Sequence, residues 1–143
     1  MARSVRILVL CALLLCLPLI MAMGMGSSEV PTRIPEPKVN YLVTLTDMGG
    51  TTVDLSHFSI EGVVFLAGEM GRGELAVPLE KVKDVVIRHQ GGEFKAEVAL
   101  ADGGKVTITV KGSLKATGKT SYGNYRIPLD EVSRIQLRGV KHN

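Results

Sequence analysis

One segment of the chain occurs twice, fifty positions apart. Residues 73–88 read GELAVPLEKVKDVVIR, and residues 123–138 read GNYRIPLDEVSRIQLR. At this offset several glycines, a proline and several apolar residues coincide: Gly62 with Gly112, Gly68 with Gly118, Gly73 with Gly123, Pro78 with Pro128, Leu79 with Leu129 and Val82 with Val132. A repeat of this kind indicates one supersecondary unit made twice. We therefore predict two similar units, residues 40–88 and 93–138, joined at the sequence HQGG and followed by a tail, residues 139–143.

The apolar residues of each unit recur with a period of two, which is the period of a β-strand. In YLVTLT the side chains of Tyr41, Val43 and Leu45 share one face, and KVTITV repeats the pattern in the second unit. The sequences DMGG and DGG between such runs are hairpin signals. The chain is therefore predicted to be all-β, with two tandem repeats of about five short strands each.

Two architectures are compatible with this pattern. The repeats form two small barrels side by side, or their strands merge into one pseudo-symmetric sandwich or barrel. A unit of fewer than about fifty residues without disulfides is marginally stable alone. We therefore expect a substantial apolar interface between the two units in either case.

The repeated proline predicts how each unit ends. Pro78 and Pro128 have no backbone N–H to donate, so each ends a strand, and each fixes φ for a tight turn. The sequences LEKV and LDEV that follow suit a single 3₁₀ turn with the leucine pointing inward. A long helix is rejected, because the β-branched run VVI favours a closing strand.

The segment Gly-x-x-x-Pro-Leu-x-x-Val-x-x-Val/Ile resembles small five-stranded barrels of the Sm-like and Src-homology type, which place a 3₁₀ turn between their last two strands. SYGNYRIPLDEV is also similar to repeated units of bacterial exported proteins of unassigned function, with a Tyr-Gly-x-x-x-(Ile/Val)-Pro-(Leu/Ile)-x-x-(Val/Ile) core. MGRGELAVPLEKV departs from that core, because Arg72 replaces the tyrosine. The resemblance implies β topology. The loop pair with which Sm-like barrels bind RNA is not found in this sequence.

The N-terminal residues 1–26 have the order of a secretory signal peptide. Arg3 and Arg6 precede an apolar core, and small residues follow at the cleavage region. An uncleaved inner-membrane anchor formed by residues 7–25 is the alternative. A lipoprotein is disfavoured, because Cys11 and Cys16 follow valine and leucines rather than small residues. We expect an exported protein, periplasmic or extracellular, that contacts a membrane only through this segment if it is not cleaved.

Removal of residues 1–26 changes what the remaining chain can bind. The net charge falls from +3 to +1, because Arg3 and Arg6 are lost, so a nucleic-acid partner is not predicted. Both cysteines are also lost, which leaves neither a disulfide nor a thiolate ligand. Residues 27–39 contain Pro31, Pro35 and Pro37 and are predicted to be an extended, proline-rich linker.

No catalytic constellation is evident in the sequence. His57, His89 and His142 are the only histidines, and none has a ligand partner at metal-site spacing. A triad drawn from Ser56 or Ser59, His57 and Asp54 is rejected, because neighbours in one loop do not normally reach that geometry, and no Gly-x-Ser-x-Gly elbow is present. We therefore predict no enzyme, no metal and no cofactor. A small metal-dependent enzyme that uses His57 or His89 is the less favoured alternative.

The differences between the two copies supply the candidate binding residues. Tyr122 stands where the first copy has Arg72, and the first copy carries five extra residues near His57 and Phe58 when the two turn aspartates are aligned. These four residues are the candidate binding site. The predicted function is a non-enzymatic envelope module that binds a protein or another envelope component, or presents a sheet edge for strand addition. A polysaccharide-binding module centred on Tyr122 is the alternative.

Overall fold

The computed structural model describes residues 31–142, so the predicted signal or anchor segment, with Cys11 and Cys16, lies outside the described residues. Within residues 31–142, no helix has the length and apolarity needed to cross a membrane. The described part consists of strands and two 3₁₀ turns, Leu79–Lys81 and Leu129–Glu131. The strands are β1 (Asn40–Asp47), β2 (Thr52–Ile60), β3 (Phe65–Met70), β4 (Gly73–Pro78), β5 (Val82–Gln90), β6 (Glu93–Leu100), β7 (Lys105–Val110), β8 (Lys115–Lys119), β9 (Asn124–Pro128) and β10 (Val132–Lys141).

All ten strands form one antiparallel sheet in the order β4-β3-β7-β6-β5-β10-β1-β2-β8-β9. The predicted all-β class is therefore confirmed. Strands of the two halves of the chain are interleaved, because β7 pairs with β3 and β8 pairs with β2. The halves are thus joined in one merged sheet instead of standing side by side. The sequence HQGG, predicted as the joint, ends β5 and forms a tight hairpin turn into β6 at Gly91 and Gly92, both with positive φ.

The local predictions around the repeated prolines are also confirmed. Each proline is the last residue of a strand, at Pro78 in β4 and Pro128 in β9, and a 3₁₀ turn follows at once. The first leucine of each turn is buried. A closing strand begins three residues later, at Val82 and Val132. Proline therefore acts here as the end of a ladder, which is the role that its missing N–H requires.

The centre of the sheet lies between β5 and β10. Val85 faces Ile135 there, and these two residues are fifty positions apart in the sequence. Outward from this pair, the strands follow one order on each side: β6, β7, β3 and β4 on one, and β1, β2, β8 and β9 on the other. A single core cluster draws apolar residues from both halves, as the sequence led us to expect: Val43, Leu55, Leu66, Val85, Val98, Ile108, Leu129 and Ile135 are among them.

The first hairpin of each half corresponds at an offset of fifty-three. Leu45 pairs with Val53 in β1 and β2, and Val98 pairs with Val106 in β6 and β7. The alignment of the two turn aspartates was therefore shifted by two residues, and the first half has three extra residues instead of five. The cause is that hydrogen-bond register, and not turn composition, determines which residues are equivalent.

The offset returns to fifty after β2 and β7. The backbone carbonyls of Val64 and Leu114 are equivalent, since each accepts the N–H of the leucine that opens a 3₁₀ turn. Three extra residues therefore lie in the first half, toward the end of β2. A bulge at His57, which has a positive φ, begins this stretch, and β2 then continues to pair with β8 as far as Ile60.

Two equivalent glycines allow the halves to interleave. A Cβ at Gly68 in β3 would lie 2.7 Å from the carbonyl oxygen of Thr109, and a Cβ at Gly118 in β8 would lie 2.8 Å from Cβ of Leu55. Neither glycine has a positive φ, so the requirement is close strand approach and not backbone freedom. The repeated glycine thus marks where a strand of one half crosses a strand of the other.

Substitution of Gly68 or Gly118 by alanine should therefore destabilise the fold by about 1–3 kcal/mol, which is typical of overpacking. Gly73→Ala is the matched control, because the nearest atom to its Cβ is 3.8 Å away. Urea unfolding of the three variants tests this. Equal midpoints for Gly68→Ala and Gly73→Ala would contradict the close crossing of β3 and β7.

A charge pair beside the central strands joins the two halves. The Arg134 guanidinium donates to both oxygens of the Asp84 carboxylate, at 2.8 and 3.0 Å. This bidentate hydrogen bond raises the pKa of Arg134. Residues 84 and 134 are themselves equivalent at the offset of fifty, so the copies carry opposite charges where they meet.

Asp84→Arg should lower the melting temperature, because it places two like charges across the central strands. The double variant Asp84→Arg with Arg134→Asp should recover most of the loss, since it restores an opposite pair. Thermal unfolding of the two variants and the parent measures both effects. No recovery in the double variant would show that the pair does not couple the halves.

Candidate functional site

The candidate site is a groove along β3 and β4, named here the β3–β4 groove. Its volume is about 450 Å³, and its lining includes Phe65, Ala67, Glu69, Glu74, Leu75 and Leu114. Phe65 is 38% exposed, which is unusual for a phenylalanine in a strand next to a packed core. Two glutamates and one lysine, Lys111, lie among otherwise mostly apolar groups. The groove therefore offers apolar contact area together with a net negative charge.

The groove exists because β7 turns away from β3. The two strands pair only at Glu69 and Thr109, and β7 ends at Val110. In the other half, β2 pairs with β8 at Ser56 and again at Ser59 and Ile60. The three extra residues of β2 thus extend the ladder in one half, and their absence leaves space beside β3 in the other.

Strand β4 forms an open edge of the sheet next to this groove. It is the terminal strand of the sheet, and it pairs only with β3 within the described residues 31–142. Edge strands present unpaired backbone groups and are natural places for another chain to pair. Pro78 closes one end of this edge, since it cannot donate to a ladder.

The equivalent surface of the other half is covered by the chain itself. Residues 31–39, which we name the N-terminal strap, lie across β8, β9 and the bulge of β2. Glu36 binds Lys119 at 2.9 Å, and the carbonyl of Thr32 accepts a hydrogen bond from the Asn124 side chain at 3.1 Å. Pro35 packs against Gly62, where a Cβ would lie 2.9 Å from the proline ring.

The outer face beside the strap is closed to solvent. Thr117 is 2% exposed, and its hydroxyl forms a 3.0 Å hydrogen bond with that of the equally buried Ser59. Ala67 occupies the equivalent place in the groove and is exposed. A polar residue is tolerated at the buried position because its hydroxyl has a partner, whereas the exposed position carries a methyl group.

His57 lies at the junction of the strap and the bulge. Its backbone N–H donates to the Asn40 side chain at 2.8 Å, its Nδ1 is 3.4 Å from Ser56 Oγ, and its Nε2 is 3.5 Å from Glu36. Ser56 Oγ donates to the backbone oxygen of Lys119, and Glu36 is already paired with Lys119. These contacts fix the strap on the bulge.

The other predicted residues are separated from this junction. Phe58 is 0% exposed and belongs to the core, so its predicted role in binding is corrected to packing. It lies inward because the bulge at His57 resets the alternation of β2. Tyr122 is 99% exposed at the tip of the β8–β9 hairpin, and Arg72 is exposed at the tip of the β3–β4 hairpin. The four candidates therefore do not form one site.

The turn that carries Tyr122 is well fixed. Thr120 Oγ1 accepts the backbone N–H of both Tyr122 and Gly123, each at 3.0 Å, and Thr120 N–H donates to the carbonyl of Gly123. A serine or threonine hydroxyl commonly closes a turn in this way. The Tyr122 ring thus projects from a turn whose backbone is fixed by the hydrogen bonds of Thr120.

His89 and Asp54, which were considered from the sequence for a metal site or a triad, each have other contacts in the structure. His89 is exposed at the end of β5 and stacks on Phe94 with ring centroids 4.8 Å apart. Asp54, the carboxylate considered for a triad, accepts a hydrogen bond from Thr44 at 2.7 Å. Among residues 31–142, no group of three or more histidine, cysteine, aspartate or glutamate side chains is placed to hold a metal ion.

Sequence reasoning missed the groove and the strap. Phe65 and Ala67 read as part of a buried strand, and residues 31–39 read as a linker. A signal was available at the offset of fifty, because Glu69 and Glu74 stand where the second copy has Lys119 and Asn124.

The chain belongs to a protein family described as uncharacterised protein, whose model matches residues 37–140. No curated protein and no solved structure matches the chain. The resemblance to Sm-like barrels and to repeats of exported proteins therefore stays a prediction.

The strap should be anchored by an ionised Glu36. The hydrogen bond from Lys119 and the charge of Lys119 lower the pKa of Glu36 below its ordinary value of 4.5. The anchoring is therefore complete above pH 4.5 and is lost as the pH falls through the lowered pKa. An NMR titration of the Glu36 carboxyl carbon should give a midpoint below 4.5.

Lys119→Ala should return this midpoint toward 4.5, whereas His57→Asn, which tolerates a positive φ, should shift it little because His57 is the weakest cause. An unchanged midpoint in Lys119→Ala would refute the ion pair as the anchor of the strap.

Proposed function

We propose that the protein is an exported, non-enzymatic module that binds a partner protein in the β3–β4 groove. The observation that carries this proposal is an apolar groove of about 450 Å³ beside an open edge strand, with Phe65 38% exposed at its side. Exposed apolar surface with charged neighbours is typical of protein interaction sites. The groove is built on strands held by a common core, so it is preformed.

Strand addition is the binding mode that this arrangement favours. An extended partner segment placed beside β4 gains backbone hydrogen bonds from the open edge and side-chain contacts from the groove. Phe65 and Leu75 then supply apolar contact, as the backbone pairing alone carries little specificity.

A second candidate function is carbohydrate binding at Tyr122. The observation that favours it is the 99% exposed ring on a turn fixed by Thr120. Aromatic rings bind the apolar faces of sugars, and a fixed backbone limits the entropy lost on binding. One exposed ring gives little contact area, so the groove is the stronger candidate.

Site-specific photo-crosslinking in the cells that produce the protein tests the choice between these surfaces. A photoreactive residue in place of Ala67 in the full chain should give a discrete adduct with a protein, because Ala67 is exposed within the groove. The same residue in place of Met48, which is exposed in the β1–β2 turn, is the control for non-specific capture.

The Ala67 adduct should weaken when Phe65→Ala removes the exposed ring. An adduct formed at position 122 and not at position 67 would contradict the groove and support the hairpin tip. Equal capture at positions 67 and 48 would also refute the proposal.

A further inference from the structure

The N-terminal strap provides an internal template for what the groove accepts. The strap grips the pair Lys119 and Asn124, which face each other across β8 and β9. The equivalent pair across β3 and β4 is Glu69 and Glu74, again directly opposite each other, and both line the groove. The groove is thus the uncovered counterpart of the surface that the strap covers.

The charges of the two surfaces are reversed. Lys119 binds the acidic Glu36 of the strap, whereas the groove places two carboxylates at the same positions. Like charges directly opposite each other across two strands are unfavourable. Lys111 also lines the groove, so two carboxylates and one ammonium group make up its charged lining, and the net charge is negative. A further cation placed between Glu69 and Glu74 would relieve the repulsion between these two residues, so the groove is electrostatically suited to a basic side chain.

The strap and the rest of the groove lining together indicate that the occupant of the groove has an extended backbone. The strap crosses its surface as an extended segment with Pro35 packed against a glycine, and it makes its contacts through residues spaced along the chain. The groove has a methyl group, Ala67, where the covered half has Thr117, and an exposed ring, Phe65, beside it. Proline and other apolar side chains fit this floor, since it offers no buried polar group that needs a partner.

We infer that the occupant of the β3–β4 groove is an extended, proline-containing segment of a partner protein, with a lysine or arginine seated between Glu69 and Glu74. This inference rests on the proposed function and adds the chemistry of the partner. In the register that it has within its own chain, the strap of a second copy is disfavoured, because its Glu36 would meet the two glutamates. The complementary charge, and not the apolar floor, distinguishes the partner from the strap.

Two peptides test the inference with the full-length protein. One is the strap sequence PTRIPEPKV, residues 31–39, and the other is the same peptide with lysine in place of Glu36. The lysine peptide should bind the parent protein at least about tenfold more tightly than the glutamate peptide, because like-charge contacts are strongly disfavoured in an interface. Glu69→Lys should invert this preference. Fluorescence anisotropy of labelled peptides measures all four affinities.

Ala67→Trp is a further variant, because an exposed tryptophan fills the groove without entering the core, and it should abolish binding of the lysine peptide. Met48→Trp is its control.

Tighter binding of the glutamate peptide by the parent protein would overturn the inference in favour of a second copy. An unchanged preference for the lysine peptide in Glu69→Lys would also overturn the inference. Binding of neither peptide, with the Ala67 crosslink still present, would overturn the inference but leave the proposed function standing. Loss of both would refute the two together.

Discussion

The pairing of β5 with β10 determines the rest of the architecture. Val85 and Ile135 face each other at the centre of the sheet, so the two closing strands, one from each half, lie side by side. Each closing strand then pairs on its other side with the first strand of the other half, β5 with β6 and β10 with β1. The third strand of each half pairs in the same way with the second strand of the other half, β3 with β7 and β8 with β2. Neither half can therefore complete its sheet without the other, and the core is common to both.

This interleaving gives the molecule two equivalent outer surfaces, and small differences in sequence make them unlike. Three extra residues extend β2 along β8, and the N-terminal strap closes the surface above through the Glu36–Lys119 pair. The other surface has a shorter β7 and two glutamates, and it stays open as the β3–β4 groove. The sheet thus has one surface covered by the strap and one that is open, and we propose the covered surface as the template for what the open one binds.

The local elements of the fold could be read from the sequence because their causes are local. Proline cannot donate a hydrogen bond to a ladder, so Pro78 and Pro128 end their strands whatever the rest of the fold. The alternation of Tyr41, Val43 and Leu45 is likewise a property of one strand. The exchange of partners could not be read in the same way. It depends on which strands approach closely at Gly68 and Gly118, and such long-range register is not encoded in the pattern of either strand alone.

The candidate site could be predicted only in part, for the same reason. Tyr122 and Arg72 lie at exposed hairpin tips, where their turn sequences place them, whereas the bulge at His57 turns Phe58 into the core. The groove residues carry no motif. Glu69 and Glu74 gain meaning only when they are seen opposite each other in the structure and compared with Lys119 and Asn124.

The central claim is that the β3–β4 groove is the open counterpart of the surface under the strap. Its most direct measurement is an isotope-edited NOE experiment on the full-length protein with the lysine form of the strap peptide. We expect contacts from the proline rings of the peptide to the Ala67 methyl group and the Phe65 ring. Contacts confined to the Tyr122 hairpin, or contacts that replace the strap on Lys119 and Asn124, would contradict the claim.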